Sequence, residues 1–325
     1  MVATPLRTAL KPYKLPRFKL EGKTAIITGA GHGIGLSLTK LLLKRSVTVV
    51  LADTHLSTEA RALLSTNPPV ALYKQTDVSS PASLKALFEF HRKELGKEAD
   101  IVVPNAGVYE PEWSNFWGEE REEGAESLQR DAGGQMVMGG GYYKSLRVNL
   151  GHPLFATRLA IEGFLRERKE GRVVCVSSIA AQIPNILTPL YCAAKAGINH
   201  FVRTLAPLDE RLNFRITACA PGLVRTPLWT APEHADKLAW IDQEKDTWIE
   251  PEEVAACIVE LIEGNFYKGG SVVEVTKGQR REVQCYNDPG PQGKSISLSR
   301  GNDHVEELLK GLEAKLGRGY LEGFT

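Results

Sequence analysis

The sequence has no excess of charge of either sign and no long apolar run. Its 40 Lys and Arg residues nearly balance its 39 Asp and Glu residues, which gives a formal net charge of +1. Such a balance provides no field that would attract nucleic acid or an anionic lipid surface. The apolar runs, such as residues 47–52, are far shorter than the roughly 20 residues that cross a bilayer. We therefore expect neither a nucleic-acid partner nor a membrane partner.

Cysteine and histidine are too few and too scattered for a disulfide framework or a metal site. The five cysteines are odd in number, which indicates free thiols in a reducing compartment. The seven histidines lack the paired spacing of metal ligands, so we expect no metal. Residues 1–22 are basic, but Pro5, Pro12 and Pro16 break any amphipathic targeting helix. We expect an N-terminal arm over residues 1–22 of a cytoplasmic protein.

From Thr24 onward, short β-branched runs alternate with amphipathic stretches of helical length. Continuous apolar strands are buried on both faces, as in a parallel sheet between two layers of helices. Seven strand–helix units therefore predict an α/β fold with a doubly wound, seven-stranded parallel sheet, the Rossmann fold, as a single domain over residues 23–285. The expected strands cover residues 24–28, 47–52, 70–73, 101–103, 172–176, 216–220 and 271–275.

Two long stretches interrupt this alternation, and a third follows it. Residues 109–145 are polar and glycine-rich and form an expected insertion, while residues 223–250 form an expected substrate loop. Loops of this length in a compact domain are either functional or disordered. After residue 285, a Pro/Gly linker leads to apolar residues at helical spacing. This pattern predicts a C-terminal tail over residues 286–325 that contains an amphipathic helix.

A glycine-rich turn directly follows the first expected strand. The run TGAGHGIG places Gly29, Gly33 and Gly35 between that strand and the next helix. Glycines let the backbone turn sharply and approach a pyrophosphate, and a helix N-terminus offers unpaired N–H groups and partial positive charge. Glycines also mark ordinary turns, but the position between strand and helix favours dinucleotide binding.

The acid at the end of the second expected strand bears on the choice of dinucleotide. A carboxylate at Asp53 can accept hydrogen bonds from the adenosine ribose and repel the 2′-phosphate of NADP. The alternative is a solvated turn aspartate. His32, a basic group within the glycine loop, could partly accommodate a phosphate. We expect NAD as the cofactor, with NADP as the less favoured alternative.

Tyr191 and Lys195 form a Y-x-x-x-K pattern at the beginning of a helix-length stretch. Residues four apart on a helix share one face. A free tyrosine has a pKa of about 10, and a nearby ammonium together with the positive nicotinamide would favour the phenolate. Ser178 lies at the end of the fifth expected strand, where active sites open in such sheets. Each pattern alone is weak, because the pair can arise by chance and the serine could cap a turn.

Taken together, these features resemble the short-chain dehydrogenase/reductase family over Lys23 to about Lys277. The matches occur in the order that the family has along its chain. They are TGAGHGIG, Asp53, Asp77-Val78, Asn105-Ala106-Gly107, Asn149, Ser178, YCAAK with Tyr191 and Lys195, and the run from Pro221 to Thr226.

The resemblance implies a catalytic role for four of these residues. Tyr191 would exchange a proton with the substrate oxygen, and Ser178 would hydrogen-bond that oxygen. Lys195 would bind the nicotinamide ribose and lower the pKa of Tyr191. Asn149 would hold a water of a proton relay by interrupting its helix, and the nearby Gly151 and Pro153 make such a break physically reasonable.

The resemblance also implies the residues that bind the dinucleotide. Asp77 and Val78 would flank the adenine, Asn105 would steady the central strand, and Thr226 would hold the carboxamide. Pro207 departs from the pattern and predicts that the Tyr191 helix kinks or ends early. The complete expected set is Gly29, His32, Gly33, Ile34, Gly35, Asp53, Asp77, Val78, Asn105, Ala106, Gly107, Tyr191, Lys195, Pro221, Gly222, Val224 and Thr226.

The expected activity is hydride transfer between NAD(H) and a secondary alcohol or ketone. The tryptophans bear on the substrate, because they are either structural anchors or the walls of a pocket for a bulky, apolar or ring-containing molecule. All five lie in the two long loops: Trp113, Trp117, Trp229, Trp240 and Trp248.

Two alternatives stay open at this stage. One is an NADPH-dependent ketoreductase of secondary metabolism, and the other is a non-catalytic dinucleotide-sensing or scaffold protein. The complete set of Asn149, Ser178, Tyr191 and Lys195 argues against the second. Besides a small-molecule substrate, the resemblance implies a second copy of the chain as partner, in a homodimer or homotetramer.

Overall fold

The apolar runs of the sequence become the strands of one central sheet. The structure, a computed structural model, describes residues 17–117, 129–130, 136–137, 143–231, 238, 241–242, 244–285 and 309–315. The strands of the sheet are β1 (Thr24–Thr28), β2 (Thr48–Asp53), β3 (Ala71–Gln75), β4 (Ile101–Val103), β7 (Gly171–Val176), β8 (Phe214–Pro221), β9 (Val272–Thr276) and β10 (Gln279–Glu282). A short antiparallel pair, β5 (Gln129–Arg130) and β6 (Met136–Val137), lies within the expected insertion.

The sheet order is β10-β9-β8-β7-β4-β1-β2-β3. All pairings from β3 to β9 are parallel, which confirms the predicted doubly wound parallel sheet. The chain builds β1, β2 and β3 outward in one direction and then returns to place β4 on the other side of β1. At such a switch point, the carboxyl ends of the two central strands open a crevice that binds ligands.

The sheet has one more strand than the sequence predicted. Strand β10 pairs antiparallel with β9 after a turn at Lys277 and Gly278. Its side chains are Gln, Arg, Arg and Glu, and all four are exposed. An edge strand whose side chains all face solvent lacks the apolar pattern on which strand prediction depends.

Helices cover both faces of the sheet. Neighbouring residues of β1 point to opposite faces, so Ala25 and Ile27 join one apolar cluster and Ile26 joins the other. The first cluster includes residues of the helices Gly33–Leu43 and Pro251–Glu263, and the second includes residues of the helices Pro81–Leu95, His152–Glu167 and Pro189–Thr204. The helices are α1 (Gly33–Leu43), α2 (Thr58–Arg61), α3 (Pro81–Leu95), α4 (Lys144–Leu146), α5 (His152–Glu167), α6 (Pro189–Thr204), α7 (Pro207–Leu212), α8 (Pro227–Thr230) and α9 (Pro251–Glu263).

Two irregularities predicted in these helices are confirmed. Helix α6 ends at Thr204, and Pro207 begins the separate helix α7. Between α4 and α5, residues Arg147–Gly151 form a π-helical turn that interrupts the helix at Asn149. A π turn is a local widening that often accompanies a functional site.

The described parts of both terminal segments pack on the domain. Phe18 and Leu20, which lie in the expected arm, are buried in the first apolar cluster. In the tail, residues 309–315 form a helix whose Leu309 is buried in the second cluster. Glu313 of that helix accepts a hydrogen bond from Arg211 Nε at 2.5 Å. Among the described residues, no helix is long and apolar enough to span a membrane.

Candidate active site

A cleft of about 1070 Å³ opens at the carboxyl ends of the central strands. It brings together most of the residues that the sequence singled out, although they come from distant parts of the chain. Those that line it are Gly29, His32, Gly33, Ile34, Asn105, Ala106, Gly107, Ser178, Tyr191, Lys195, Pro221, Gly222, Val224 and Thr226. Gly35, Asp53, Asp77, Val78 and Asn149 do not line it and lie around it.

The glycine loop packs so closely on its surroundings that side chains would not fit. Gly29 has a φ of +64°, and a Cβ there would lie 2.9 Å from Ala106 Cα. A Cβ on Gly35 would lie 2.1 Å from the carbonyl oxygen of Gly29. The loop leads into the N-terminus of α1, which begins at Gly33. Because these glycines carry no side chains, a ligand can approach the backbone of the loop directly.

Asp53 is fixed against the glycine loop by backbone amides. Gly31 N–H donates to its Oδ2 at 2.8 Å, and Thr54 N–H donates to its Oδ1 at 2.8 Å. A Cβ on Gly31 would lie 2.5 Å from the carbonyl oxygen of His55. Gly31 was not among the residues expected from the sequence, although its position between Gly29 and Gly33 indicated that it belongs to the glycine loop. The ring centres of His32 and His55 lie 5.2 Å apart beside this loop, and both residues line the cleft.

Asp77 and Val78 lie outside the cleft. The Asp77 carboxylate is exposed and accepts hydrogen bonds from the Ser79 amide at 2.9 Å and the Ser79 hydroxyl at 2.7 Å. Partial burial alone would raise the pKa of Asp77, but these hydrogen bonds and the positive charges of Lys144 and Arg147 lower it. Val78 is buried in a small apolar cluster.

Asn105 joins the ends of β1 and β4 at the centre of the cleft. Its side-chain amide donates to the carbonyl oxygen of Thr28 at 2.8 Å, and its backbone N–H donates to Thr28 Oγ1 at 2.9 Å. The Ala106 N–H donates to the same hydroxyl oxygen at 3.2 Å. The turn that faces the cleft is therefore attached to the first strand through one threonine.

His152 is hydrogen-bonded to the hydroxyl of the same threonine. The sequence analysis did not identify this histidine. Its Nδ1 lies 3.2 Å from the carbonyl oxygen of Val148, and its Nε2 lies 3.1 Å from Thr28 Oγ1. A carbonyl only accepts, so Nδ1 carries the proton and Nε2 accepts from the Thr28 hydroxyl. Complete burial lowers the pKa of His152 to about 3, so the imidazole is neutral at physiological pH.

Asn149 is buried in the π turn and is held by the backbone of Val108. Its Oδ1 accepts from Val108 N–H at 2.9 Å, and its Nδ2 donates to the Val108 carbonyl oxygen at 2.8 Å. A Cβ on Gly107 would lie 3.1 Å from Asn149 Oδ1 and 3.8 Å from Lys195 Nζ. The asparagine amide and the lysine ammonium thus approach the same small volume beside Gly107.

Ser178, Tyr191 and Lys195 meet at the base of the cleft. Lys195 Nζ donates to the Val176 carbonyl oxygen at 2.8 Å and lies 5.4 Å from the centre of the Tyr191 ring. Ser178 Oγ donates to the Pro221 carbonyl oxygen at 3.5 Å. Its oxygen also accepts from Ala180 N–H at 3.2 Å. Strand β7 and the first turn of α6 bring these three groups together.

The charges of these groups respond to burial. Desolvation lowers the pKa of Lys195 to about 8, because water no longer stabilises the ammonium. Desolvation also raises the pKa of Tyr191 above its usual range, while the nearby Ser178 side chain acts in the opposite direction. The lower Tyr191 pKa that the sequence led us to expect is therefore not a property of the polypeptide alone.

An aromatic wall packs directly against Tyr191 in the cleft. The Tyr109 ring lies 4.7 Å from that of Tyr191 and 4.6 Å from that of Trp229, measured between ring centres. Trp113 also lines the cleft, while Trp117 donates from Nε1 to the Ile186 carbonyl oxygen at 2.6 Å. Tyr109, at the beginning of the insertion, was not anticipated.

The other two tryptophans do not contribute to this wall. Trp248 is buried under the guanidinium of Arg225, 4.8 Å from the ring centre, and does not line the cleft. It is a structural anchor. Trp240 lies outside the described residues.

The cleft carries little charge. The described residues that line it include no Asp, Glu or Arg, and Lys195 is its only lysine. The described part of the chain also contains no group of His, Cys, Asp and Glu side chains that could hold a metal ion. The chemistry available in the cleft is therefore that of hydroxyls, side-chain amides, two imidazoles, one ammonium and the backbone.

Comparisons with known proteins identify the family. Residues 23–237 match the family described as short chain dehydrogenase. The 15-hydroxyprostaglandin dehydrogenase [NAD(+)] of Rattus norvegicus is 27% identical over 286 residues, which cover 82% of this chain and 96% of the relative. The D-xylose 1-dehydrogenase of Caulobacter vibrioides is 31% identical over 248 residues, which cover 74% of this chain and 89% of the relative.

A solved structure shares the fold. A short-chain type dehydrogenase/reductase from Mycobacterium marinum superposes with a TM-score of 0.65 at 23% identity, covering 80% of this chain and 96% of its own. The family match extends over well more than half of the 325 residues. The chain belongs to the short chain dehydrogenase family and is an enzyme, a dehydrogenase/reductase that acts on CH–OH groups.

Proposed function

We propose that this enzyme transfers a hydride between NAD and a bulky, uncharged secondary alcohol that is apolar or contains a ring, or the corresponding ketone. One observation carries the proposal: Tyr191, Ser178 and Lys195 meet at the base of a single cleft. The glycine loop and the aromatic wall line the same cleft.

The residues around the glycine loop fit a nicotinamide dinucleotide. A loop without room for Cβ atoms, followed by the N-terminus of an eleven-residue helix, suits a pyrophosphate. Asp53, fixed by the Gly31 and Thr54 amides, would accept from the adenosine ribose. When bound, the nicotinamide ring supplies the acceptor or donor of the hydride. The residues that would hold the dinucleotide are Gly29, His32, Gly33, Ile34, Gly35, Asp53, Asp77, Val78, Asn105, Ala106, Gly107, Tyr191, Lys195, Pro221, Gly222, Val224 and Thr226.

Tyr191 would exchange the proton with the substrate oxygen. Because burial raises its pKa, the phenolate needs positive charge nearby before it can act as a base. The Lys195 ammonium, 5.4 Å from the ring centre, is the cation that this chain provides. Ser178, which lines the cleft together with Tyr191, would bind the same substrate oxygen and hold it at the phenol.

Asn149 would contribute to the relay that returns the proton to solvent. Its amide is engaged with Val108 on both sides, so it fixes the π turn against the strand end. The turn and the Lys195 ammonium approach one volume beside Gly107, where a relay water would lie. We propose that Asn149 shapes this volume.

Two features support an apolar, uncharged substrate. The described residues that line the cleft provide no Asp, Glu or Arg to pair with a substrate charge. The wall beside Tyr191 consists of Tyr109, Trp229 and Trp113. Such a surface gains most by covering apolar or ring surface.

Asp53 favours NAD over NADP. A relative of this chain is named 15-hydroxyprostaglandin dehydrogenase [NAD(+)], which supports the same cofactor. The second candidate is an NADPH-dependent ketoreductase, and the pair His32 and His55 beside the glycine loop favours it, because two imidazoles could receive a phosphate. A non-catalytic sensor is the weaker alternative, since it has no need of the buried Asn149 and Lys195.

We further propose that the chain acts in the cytoplasm as a homodimer or homotetramer. The five free cysteines suit a reducing compartment. Light scattering of the purified chain measures the assembly, and a strictly monomeric active enzyme would contradict it.

The decisive experiment compares wild type with Tyr191→Phe. Both are mixed with NAD⁺ or NADP⁺ and a panel of secondary alcohols, and the absorbance of the reduced cofactor is followed. General acid–base catalysis is worth about 10²–10⁴-fold, so turnover should fall by that factor while NADH binding, measured by fluorescence, persists. Near-normal turnover of Tyr191→Phe would contradict the proposal.

A further inference from the structure

The beginning of the insertion is attached to the segment that leads into the Tyr191 helix. Thr188 Oγ1 donates to the Tyr109 hydroxyl at 3.4 Å, and Trp117 Nε1 donates to the Ile186 carbonyl oxygen at 2.6 Å. Between these two contacts, the Glu110 carboxylate reaches the backbone of Tyr191 itself. These hydrogen bonds join residues that lie 69 to 81 positions apart in the chain.

The Glu110 contact lies at the first turn of α6. The Tyr191 N–H donates to Glu110 Oε1 at 2.9 Å. The first N–H groups of a helix have no partner within the helix, and here Pro189 has no N–H at all. Thr188, the residue before the helix, makes no side-chain cap. Regular bonding begins with Cys192 N–H, which donates to the Thr188 carbonyl oxygen at 3.1 Å.

Glu110 reaches this place at a cost to its own conformation. Its side chain is buried, with only 1% of the residue exposed, and its backbone has a φ of +34°. A side chain larger than glycine in that region is strained and persists only where its surroundings require it. A buried carboxylate also needs compensation, which the positive end of α6 provides.

We propose that Glu110 is a positioning residue for Tyr191, through which the beginning of the insertion sets the place of the phenol in the cleft. The carboxylate holds the backbone of the residue whose side chain must meet Ser178 and the substrate oxygen. A small displacement of that backbone turn would move the phenol away from both. The proposal gives the start of the insertion a role in catalysis, and it rests on the proposed role of Tyr191.

The test measures Glu110→Ala, Glu110→Gln and the matched control Glu112→Ala. Glu112 is exposed in the same loop, so its replacement removes the same charge without the contact. A hydrogen bond to a charged group is worth roughly 10- to 150-fold. We expect kcat of Glu110→Ala to fall by at least about 10-fold on that scale, with NADH affinity unchanged. Glu110→Gln keeps an acceptor oxygen and should retain more turnover than the alanine variant, and Glu112→Ala should equal wild type.

A double variant separates positioning from general damage. If Glu110 acts through the phenol, Glu110→Ala should cause no further loss of turnover in a Tyr191→Phe background. An equal loss in both backgrounds, wild-type kcat in Glu110→Ala, or a parallel loss of NADH affinity would each overturn the proposal. Thermal unfolding is measured first, and if the alanine variant does not fold, Glu110→Gln and Glu110→Asp are judged by the same criteria. Failure of the proposed function gives a different result, because it would appear as near-normal turnover in the Tyr191→Phe single variant.

Discussion

Two buried histidines should make the protein lose stability between pH 7 and pH 5. Burial lowers the pKa of His152 to about 3 and that of His91 to about 4, against an ordinary value of 6.5. Both rings are neutral in the fold. His91 donates from Nδ1 to the Lys97 carbonyl oxygen at 3.1 Å, and the pKa-lowering effect of its burial outweighs the nearby charge of Asp100.

The magnitude follows from proton binding. Below pH 6.5 each of these two histidines binds a proton in the unfolded chain. In the folded chain, His91 stays neutral until the pH approaches 4, and His152 stays neutral until it approaches 3. The free energy of unfolding therefore falls as the pH falls through this window, at about 1.4 kcal/mol per pH unit for each group. At pH 5 the loss is about 2 kcal/mol for each histidine and about 4 kcal/mol for both. Because both folded-state pKa values lie below 5, the loss at pH 5 depends mainly on the pKa of histidine in the unfolded chain.

Urea unfolding at pH 7 and pH 5, followed by tryptophan fluorescence, measures the effect. The variants are His91→Gln, His152→Gln and both together, and the control is His200→Gln, which replaces an exposed ring. Each buried variant should be less stable than wild type at pH 7 but should lose about 2 kcal/mol less on acidification. A loss under about 1 kcal/mol in wild type, or a double variant that loses as much stability as wild type, would refute this prediction.

Three further predictions concern the cofactor, the substrate and the tail. Asp53→Ala should weaken NAD binding by about 10- to 150-fold and narrow the gap to NADP, and a clear preference of wild type for NADP in kcat/KM at neutral pH would contradict this. Trp229→Ala should raise KM for large alcohols more than for small ones, and equal effects across sizes would make the residue merely structural. Leu309→Ala, which empties a buried position of the tail helix, should lower the free energy of unfolding by about 2 kcal/mol or more without changing kcat, as measured by urea unfolding.

The sequence was informative wherever the physical cause is local. Strand β1 coincides with the run Thr24–Thr28 of β-branched and small apolar residues, because a strand buried on both faces does not alternate apolar and charged side chains. The Tyr191 helix ends before Pro207, because proline has no N–H to continue it. The same holds for Tyr191 and Lys195, whose spacing alone places them on one helical face.

The sequence was uninformative where a residue acts through a partner far along the chain. Glu110 contacts a backbone 81 positions away, and His152 contacts a hydroxyl 124 positions away. Neither residue lies in a recognisable motif, and a lone buried Glu or His has no local signature. Strand β10 was missed for the opposite reason, since its exposed polar side chains resemble a loop.

The crowding around the glycine loop has a consequence for the natural variation that this chain can tolerate. Every single-base change in the first two positions of a glycine codon adds a Cβ or ends the chain. At Gly35 that atom would lie 2.1 Å from the Gly29 carbonyl oxygen, so no missense allele should survive selection for activity. Gly151 is different, because the nearest atom to a Cβ there is the Leu146 carbonyl oxygen at 3.9 Å. A helix prefers alanine to glycine by roughly 1 kcal/mol, so Gly151→Ala should appear among neutral or stabilising alleles. Two glycines that look alike in the printed sequence should thus have opposite mutational histories.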